Sequence, residues 1–488
     1  MSLNKKIATN TIIQIVGKII TTALGLISFG MIAHYLGTEK FGWYITAISF
    51  LQFVGILTDF GLIPVSAQML GEGRFETNRL VRSLIGYRLY TSIFFLGLAP
   101  LIALLFPYSA PVKWAILIST INFLCIALNQ VFTGFLQSRL QMHIQAVGEI
   151  VGRIALIICL IPIIHGNLGF FYTMLALSFS SLFYTGYMYL KISRDVHLSP
   201  IFDKEIWLSI TKKMWPIAIS IIFNVIYLRG DIILLSFYRP SSEVGIYGAA
   251  YRVLDIVSQT AMMLMGLLLP LLARAHTANA RQEFANLYQK SFDYMMMISI
   301  PATIGTILLA NPIMTLVAGN DFVSAGAPLK ILAVAVFGVF LGAIFGHTAV
   351  AIDRQKSTMW IYVSDAILTL LGYLYFIPRY GWLGAAWMTV FSEIYAGLCL
   401  YLTIRRITKI KLHLTNLTKI LIASLFMATI IYFTRSFHVI LVAILGIAAY
   451  TGATIVLGIV SRETLAEIFA TRDIKKTPTD DTAISGTS

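Results

Sequence analysis

Long apolar segments recur along almost the whole chain, and they constrain its fold more than any other feature. A helix needs roughly 20 predominantly apolar residues to cross the hydrocarbon core of a bilayer. Only 12% of the residues are charged, whereas soluble domains have about 25%. The sequence therefore predicts an all-α integral membrane protein with about fourteen transmembrane helices. The predicted spans are 11–35, 41–68, 81–106, 113–137, 143–164, 168–190, 214–238, 244–272, 287–310, 327–351, 357–377, 382–404, 416–434 and 438–460.

The location of the basic residues explains the formal net charge of +14. Fourteen spans put both termini on one side of the membrane, and 26 of the 36 lysines and arginines fall on that side. Six fall on the opposite side, namely Lys40, Lys113, Arg239, Lys330, Arg379 and Arg435. Loops rich in lysine and arginine remain cytoplasmic. We therefore expect a multi-pass protein of the cell inner (cytoplasmic) membrane, with both termini cytoplasmic and no nucleic acid partner.

Neither a metal site nor a nucleotide site is indicated. The cysteines Cys125, Cys159 and Cys399 each lie within an apolar run, without the paired spacing of a disulfide or a metal centre. The sequence also lacks the glycine-rich phosphate loop of ATP-driven pumps. We expect no cofactor, and a gradient or coupled exchange as the energy source.

Two pairs of segments reveal an internal repeat. YLGTEKFGWYITA (Tyr35–Ala47) and YRPSSEVGIYGAA (Tyr238–Ala250) share Tyr, Gly, Tyr and Ala at one spacing. IPIIHGNLG (Ile161–Gly169) matches IPRYGWLGA (Ile377–Ala385) after one deletion. Each pairing places one span on the span six further along. Such repeats are common in secondary transporters, whose substrate site lies between the halves.

The repeat and the charge pattern divide the chain into predicted regions. Between the halves, the stretch IFDKEIWLSITKK alternates apolar and charged residues, as an amphipathic helix at a membrane surface does. The predicted regions are an N-terminal six-helix bundle (1–192), a cytoplasmic amphipathic linker (193–213), a second six-helix bundle (214–410), two additional transmembrane helices (411–460) and a cytoplasmic tail (461–488).

Two segments resemble oligosaccharide flippases of the polysaccharide-biosynthesis (O-antigen) transporter family. They are the opening IVGKIITTALGLISFGMIAHYLGTEKFGWY and the later FIPRYGWLGAAW (Phe376–Trp387). That family belongs to the multidrug/oligosaccharidyl-lipid/polysaccharide exporter superfamily, and the resemblance extends over roughly residues 5–460. It implies two six-helix bundles in a V around a central cavity that alternates between inward and outward openings.

The same resemblance implies the substrate, a polyprenyl-diphosphate-linked oligosaccharide moved from the inner to the outer leaflet for cell-surface polysaccharide biosynthesis. The bilayer and other polysaccharide assembly proteins are the implied partners, and H⁺ or Na⁺ is the candidate coupling ion. The motifs do not indicate which glycan is carried.

Four charged residues cluster in spans seven and eight. Arg229 and Arg252 lie about 14 and 12 Å below the outer ends of their helices, and Asp231 and Asp255 are within about one turn of them. A charge near the bilayer centre costs about 2.5–3.5 kcal/mol, so such groups usually face protein or water. Either they form a cavity wall that binds the diphosphate, or they form an ion-pair network between the helices. The sequence leaves both hypotheses open.

Three other intramembrane carboxylates are candidates for ion coupling. Glu393, at mid-depth on span twelve, has no helical partner, and Asp365 on span eleven lies near the repeat-equivalent position of Glu149 on span five. The i, i+4 spacing of Glu149 and Arg153 favours an intrahelical ion pair.

Two other functions are compatible with parts of the pattern. A multidrug-type cation antiporter of the same fold should present acidic groups in its cavity, whereas Arg229 and Arg252 suit an anion. A membrane glycan polymerase or ligase should carry a large outer loop with catalytic residues. The longest predicted outer loop, residues 311–326, has Asp321 as its one ionisable group. We therefore expect a transporter and not an enzyme.

Overall fold

The computed structural model describes residues 3–59 and 62–459, and helices account for nearly all of them. The first half contains α1 (Leu3–Asp59), α2 (Leu62–Glu72), α3 (Thr77–Leu104), α4 (Ala110–Ser138), α5 (Met142–His165) and α6 (Phe170–Ile192). The second half contains α7 (Lys204–Tyr238), α8 (Ser241–Thr277), α9 (Arg281–Ala318), the 3₁₀ helix η1 (Asn320–Ala325), α10 (Gly326–Ala351), α11 (Gln355–Tyr380) and α12 (Trp382–Thr408). The predicted tail, 461–488, lies outside the described residues.

Eleven helical stretches of the described chain are long and apolar enough to cross a membrane, which confirms the predicted class. The first of them, Val16–Ile56, is 41 residues long because α1 contains two predicted spans. These two arms meet at Gly37, whose φ of 65° lies in the left-handed region that glycine adopts without a steric penalty. The chain can therefore turn between two spans without a separate loop.

The repeated segments pack against each other where the two halves meet. An added Cβ on Gly42 would collide with the main-chain oxygen of Ser241, and one on Gly245 would collide with that of Thr38. Gly42 and Gly245 are equivalent in the repeat, as are Thr38 and Ser241. The contact is therefore reciprocal, as between two elements related by a local two-fold axis. We call this contact between residues 38–42 and 241–245 the glycine seam.

The predicted linker does not form a separate surface helix. Its helical part is the beginning of α7, which continues through the seventh span to Tyr238. Ile206 and Ile210 are fully buried in the apolar core of the first half, together with Val196 and Leu198. The alternating pattern therefore marks a helix that packs on protein with one face.

Polar contacts fix this segment to α3. Asp203 caps the N-terminus of α7 by accepting from the Ile206 amide at 3.2 Å, and it pairs with the Arg79 guanidinium at 2.6 Å. The pKa of the Asp203 carboxyl is lowered: partial burial acts against this, and the Ile206 amide and the Arg79 charge outweigh it. The connection between the halves is thereby anchored to the first half.

Residues up to Leu412 form one compact unit, and the residues from His413 onward form a second one. The described part of the second unit is a helical pair, α13 (Thr415–Thr434) and α14 (Val439–Val456). These two helices pack closely because Gly446 of α14 meets the side chain of Ile431 of α13.

Candidate substrate cavity

A cavity of about 540 Å³ lies between the two halves of the first unit. Helices α1, α4, α5 and α6 line it from the first half, and α7 and α8 line it from the second. Its described lining contains four basic residues, Lys18, Arg153, Arg229 and Arg252, and two acidic residues, Glu149 and Asp255. Groups of one sign in a low-dielectric cleft attract ligands of the opposite sign. The cavity is therefore suited to an anion.

Arg229 and Asp255 form an ion pair on the cavity wall. Nη2 of Arg229 lies 3.2 and 3.3 Å from the two carboxylate oxygens of Asp255. The Arg229 guanidinium also lies 5.3 Å from the centre of the Tyr251 ring. Arg229 and Asp255 therefore form an ion pair between α7 and α8, as the second of the two sequence hypotheses expects.

Arg252 differs from Arg229, because no carboxylate of the described chain lies within ion-pair distance of it. Its Nε is buried and has no hydrogen-bond partner in the part of the chain that the structure describes, and its guanidinium lies 6.0 Å from the centre of the Phe29 ring. An arginine in this position retains its donors for a ligand. Arg252, a cavity candidate from the sequence, lies in the lining of this cavity.

Arg153 was expected to pair with Glu149, and the structure corrects this expectation. Glu149 accepts a hydrogen bond from Gln145 at 2.9 Å, and its carboxylate forms no ion pair with Arg153. Arg153 instead faces Gly25 of α1, where an added Cβ would lie 3.6 Å from the guanidinium carbon. The Arg153 side chain lines the central cavity together with that of Arg252.

Asp231 does not belong to the cavity lining. Its carboxylate is fully buried among α7, α8 and α12, where it accepts from Tyr247 Oη at 2.6 Å and from the Ile232 amide at 2.7 Å. Thr389 Oγ1 lies 3.5 Å from it. Since positions 229 and 231 are about 200° apart on a helix, Arg229 faces the cavity while Asp231 faces the helix packing.

A second cavity, also of about 540 Å³, lies within the second half and is lined by α7, α8, α10, α11 and α12. Arg229, Arg252 and Asp255 line both cavities, so they stand at the boundary between them. Glu393 and His347 line only the second cavity.

The candidate coupling residues differ in their surroundings. Glu393 borders the second cavity, and its carboxylate has no hydrogen-bond or ion-pair partner among the described residues. His347, which borders the same cavity, contacts its own helix, since its Nδ1 lies 2.8 Å from the main-chain oxygen of Ala343. Asp365 is fully buried and accepts from Ser392 at 2.9 Å and Thr369 at 3.0 Å. Among the candidate coupling residues, Glu393 is therefore the one whose carboxylate lies beside a cavity without a partner among the described residues.

The sequence reasoning missed the uncharged polar wall of the central cavity. Gln52 of α1, Asn122 of α4 and Ser181 of α6 all line it. These residues lie in apolar runs, where one uncharged polar side chain hardly lowers the mean hydropathy of the segment. A carboxamide within a span is the signal that could have indicated Gln52 and Asn122, since an unpartnered polar group is unfavourable there.

Arg88 was also missed, although it lies within the predicted span 81–106. It is 1% exposed inside α3, where Nε donates to the Ala127 oxygen at 3.0 Å and Nη1 donates to the Thr58 oxygen. Thr58 lies at the end of α1, where main-chain oxygens lack partners within the helix. Arg88 therefore satisfies a helix terminus inside the first half.

Comparison with known proteins places this arrangement in a family. A family model described as Polysaccharide biosynthesis protein matches residues 7–276. A curated relative, the probable low-salt glycan biosynthesis flippase Agl15 of Haloferax volcanii, is 25% identical over 175 residues. The matched segment covers 36% of this chain and 37% of the length of that relative.

Two solved structures show the fold. The lipid II flippase MurJ in an inward closed conformation superposes with a TM-score of 0.77 at 16% identity, over 91% of this chain and 98% of MurJ. An inward-facing multidrug resistance MATE family transporter of the MOP superfamily gives a TM-score of 0.64 at 15% identity, over 80% and 94% of the two chains. The predicted transporter fold is thereby confirmed. Because the family model matches more than half of the sequence, the chain belongs to the polysaccharide biosynthesis protein family.

Proposed function

We propose that this protein is a flippase that moves a polyprenyl-diphosphate-linked oligosaccharide from the inner to the outer leaflet of the cytoplasmic membrane by alternating access. Family membership, and the name of the relative that it matches in part, support glycan transport. The proposed orientation has both termini in the cytoplasm, and the assembly proteins that make or use the glycan are proposed partners.

The observation that carries the proposal is a pair of arginines in the central cavity that have no carboxylate partner within the described ranges. Arg153 and Arg252 approach the cavity from different halves, α5 and α8, and the described residues provide neither with an ion pair. A diphosphate offers several anionic oxygens, and the planar guanidinium binds such groups through two donors at once. One ligand could therefore bridge the two halves.

The same lining disfavours a multidrug-type exporter of organic cations. A cationic substrate would have to approach four basic side chains, and the two acidic ones are already engaged. Asp255 pairs with Arg229 at 3.2 Å, and Glu149 accepts from Gln145 at 2.9 Å. Uncompensated charge of the same sign as the ligand opposes binding.

The test is leaflet transfer of a fluorescent polyprenyl-diphosphate oligosaccharide in vesicles. We expect Arg153→Gln and Arg252→Gln each to slow transfer roughly 10- to 100-fold, because a hydrogen bond to a charged group contributes about 1.5–3 kcal/mol. Arg139→Gln is the matched control, since Arg139 is exposed and lies 3.5 Å from Asp195 outside the cavity. Transfer that survives both cavity substitutions would assign the arginines a structural role. Export of organic cations in place of lipid transfer would favour the multidrug alternative.

Ion coupling is a further part of the proposal, and Glu393 is its strongest candidate. An unpartnered carboxylate beside a cavity can take up H⁺ or Na⁺ when the ion reaches it, whereas Asp365 already accepts two hydrogen bonds. Glu149 is a weaker candidate because Gln145 engages one of its oxygens. We expect an imposed H⁺ or Na⁺ gradient to accelerate wild-type transfer several-fold and to have no effect on Glu393→Gln. Glu283→Gln, at an exposed position of α9, is the control. Equal acceleration of both variants would exclude Glu393 as the coupling residue.

A further inference from the structure

We propose that Gln52 and Asn122 form a subsite for uncharged, hydroxyl-rich sugar units, separate from the arginines that would bind the diphosphate. The inference rests on the proposed function and refines it, because it assigns the glycan to a particular wall of the cavity. Both side chains belong to the first half, on α1 and α4, and both line the central cavity.

Asn122 is oriented by the protein but is not satisfied by it. The residue is only 9% exposed, and its Oδ1 accepts a hydrogen bond from the Ser181 hydroxyl. That contact fixes the carboxamide plane and leaves Nδ2 without a partner among the described residues. A buried donor that faces a cavity is costly unless water or a ligand accepts from it.

Gln52 presents a second free carboxamide on the same wall. Its side chain makes no hydrogen bond to the described residues, and both its donor and its acceptor atoms are available. The two positions are brought together by the packing of α1 on α4, where a Cβ added to Gly55 would lie 3.6 Å from the Phe123 ring. Two neighbouring carboxamides can bind two hydroxyl groups, each as donor or acceptor.

The internal repeat explains why Gln52 is free. The equivalent of Gln52 in the second half is Asp255, which lies 3.2 Å from Arg229 in an ion pair. The equivalent of Arg229 in the first half is Leu26, which offers no hydrogen bond. The same cavity-facing position therefore holds a paired charge in one half and an unpaired neutral amide in the other. A neutral amide is suited to a neutral ligand, because a charged ligand would lose its hydration there without gaining an opposite charge.

The experiment is equilibrium binding of two fluorescent lipids to the full-length protein in nanodiscs. One lipid is a bare polyprenyl diphosphate, and the other carries a neutral disaccharide on the same diphosphate. We expect the wild type to bind the glycosylated lipid more tightly. In the double variant Gln52→Leu/Asn122→Leu, the ratio of the two affinities should fall by up to about tenfold for each amide removed. Its affinity for the bare lipid should remain unchanged.

Two controls separate binding from folding. Asn129→Leu changes a carboxamide two turns along α4. This residue is 4% exposed, does not line the cavity and has no hydrogen-bond partner among the described residues. It should leave the affinity ratio of the two lipids unchanged. The single variant Gln52→Leu alters a half-buried position, and its thermal unfolding midpoint should match that of the wild type.

The outcomes distinguish the subsite from the wider function. A double variant that keeps the full affinity ratio, or that loses affinity for both lipids equally, overturns the subsite. A wild type that binds both lipids equally well also overturns it, but leaves the diphosphate path intact. A wild type that binds neither lipid overturns the proposed function together with the subsite.

Discussion

The two halves of the first unit share a repeated scaffold but use its polar positions differently. Tyr247 in the second half is fully buried and donates to Asp231 at 2.6 Å. Its repeat equivalent, Tyr44, lines the central cavity. The equivalent of Asp231 is Ser28, whose short side chain donates to the Gly25 oxygen at 3.1 Å instead. The tyrosine that contacts a buried carboxylate in the second half thus lies on the cavity wall in the first half, where serine replaces the aspartate.

A similar difference separates two buried carboxylates of the second half from two cavity-lining residues of the first. In the second half, Asp231 and Asp365 are satisfied by neighbouring helices, and such networks hold helices in one arrangement. In the first half, Arg153 and Asn122 retain donors that face the cavity. The comparison indicates that these two carboxylates stabilise the second half, whereas Arg153 and Asn122 of the first half, like Arg252 of the second, retain donors for a ligand.

The largest effect should come from removing Asp231. Asp231→Ala leaves the Tyr247 hydroxyl buried without its acceptor and opens a void, so we expect a loss of about 2–4 kcal/mol in the free energy of unfolding. Ser28→Ala, at the equivalent position, should change it by less than about 1 kcal/mol. Thermal unfolding in detergent, followed by tryptophan fluorescence, measures both. Equal midpoints for the two variants would remove the distinction between the halves.

A second prediction converts one half to the pattern of the other. Arg229→Leu leaves the Asp255 carboxylate without its ion-pair partner, and breaking such a pair on one side costs about 3 kcal/mol or more. Arg229→Leu/Asp255→Gln reproduces Leu26 and Gln52 of the first half, and it should recover most of that loss. The unfolding midpoints of Arg229→Leu, Asp255→Gln and the double variant provide the measurement. If the double variant is as unstable as the sum of the single ones, the ion pair is not the source of the effect.

The sequence predicted the scaffold well, because burial in lipid requires long apolar helices and the repeat preserves the closely packed glycines Gly42 and Gly245. It predicted the site only in part. Arg229, Arg252 and Asp255 were found because a charge in an apolar run is conspicuous. Asp231 was assigned to the same wall, since helical position alone does not show that Tyr247 would approach from α8.

The remaining errors have a similar physical origin. Glu149 and Arg153 have the spacing of an intrahelical pair, but Gln145 competes for the carboxylate at the same i, i+4 distance. The linker pattern of Ile206 and Ile210 fits a lipid surface and a protein surface equally well, since both are apolar. Such ambiguities are resolved only by contacts between distant parts of the chain.

A third prediction concerns the glycine seam, where the two halves are most alike. Gly245→Ala places a Cβ against the main-chain oxygen of Thr38, and overpacking of this kind costs about 1–3 kcal/mol. We expect the seam to open in a larger fraction of molecules. Spin labels at the exposed positions Lys40 and Tyr238 should report a longer mean distance across it.

Gly266→Ala is the matched control on the same helix, because an added Cβ there meets no atom within 4 Å. It should leave the distance distribution unchanged. An unchanged distribution for Gly245→Ala as well would show that the seam can adapt without opening.

The smallest effect should appear where the beginning of α7 is anchored to the first half. Lys213 donates to both oxygens of Glu72 at 2.6 Å, and this contact lowers the pKa of the Glu72 carboxyl. A lowered folded-state pKa means that the stabilisation is fully present above the ordinary value of 4.5 and is lost as the pH falls through the lowered one. Glu72→Gln should therefore lower the unfolding midpoint slightly at pH 7 and not at all near pH 3. Because the pair is partly exposed, high salt should reduce the difference at pH 7. A difference that persists at pH 3 would mean that Glu72 acts through packing and not through its charge, and the anchoring of α7 would then depend on the buried Ile206 and Ile210.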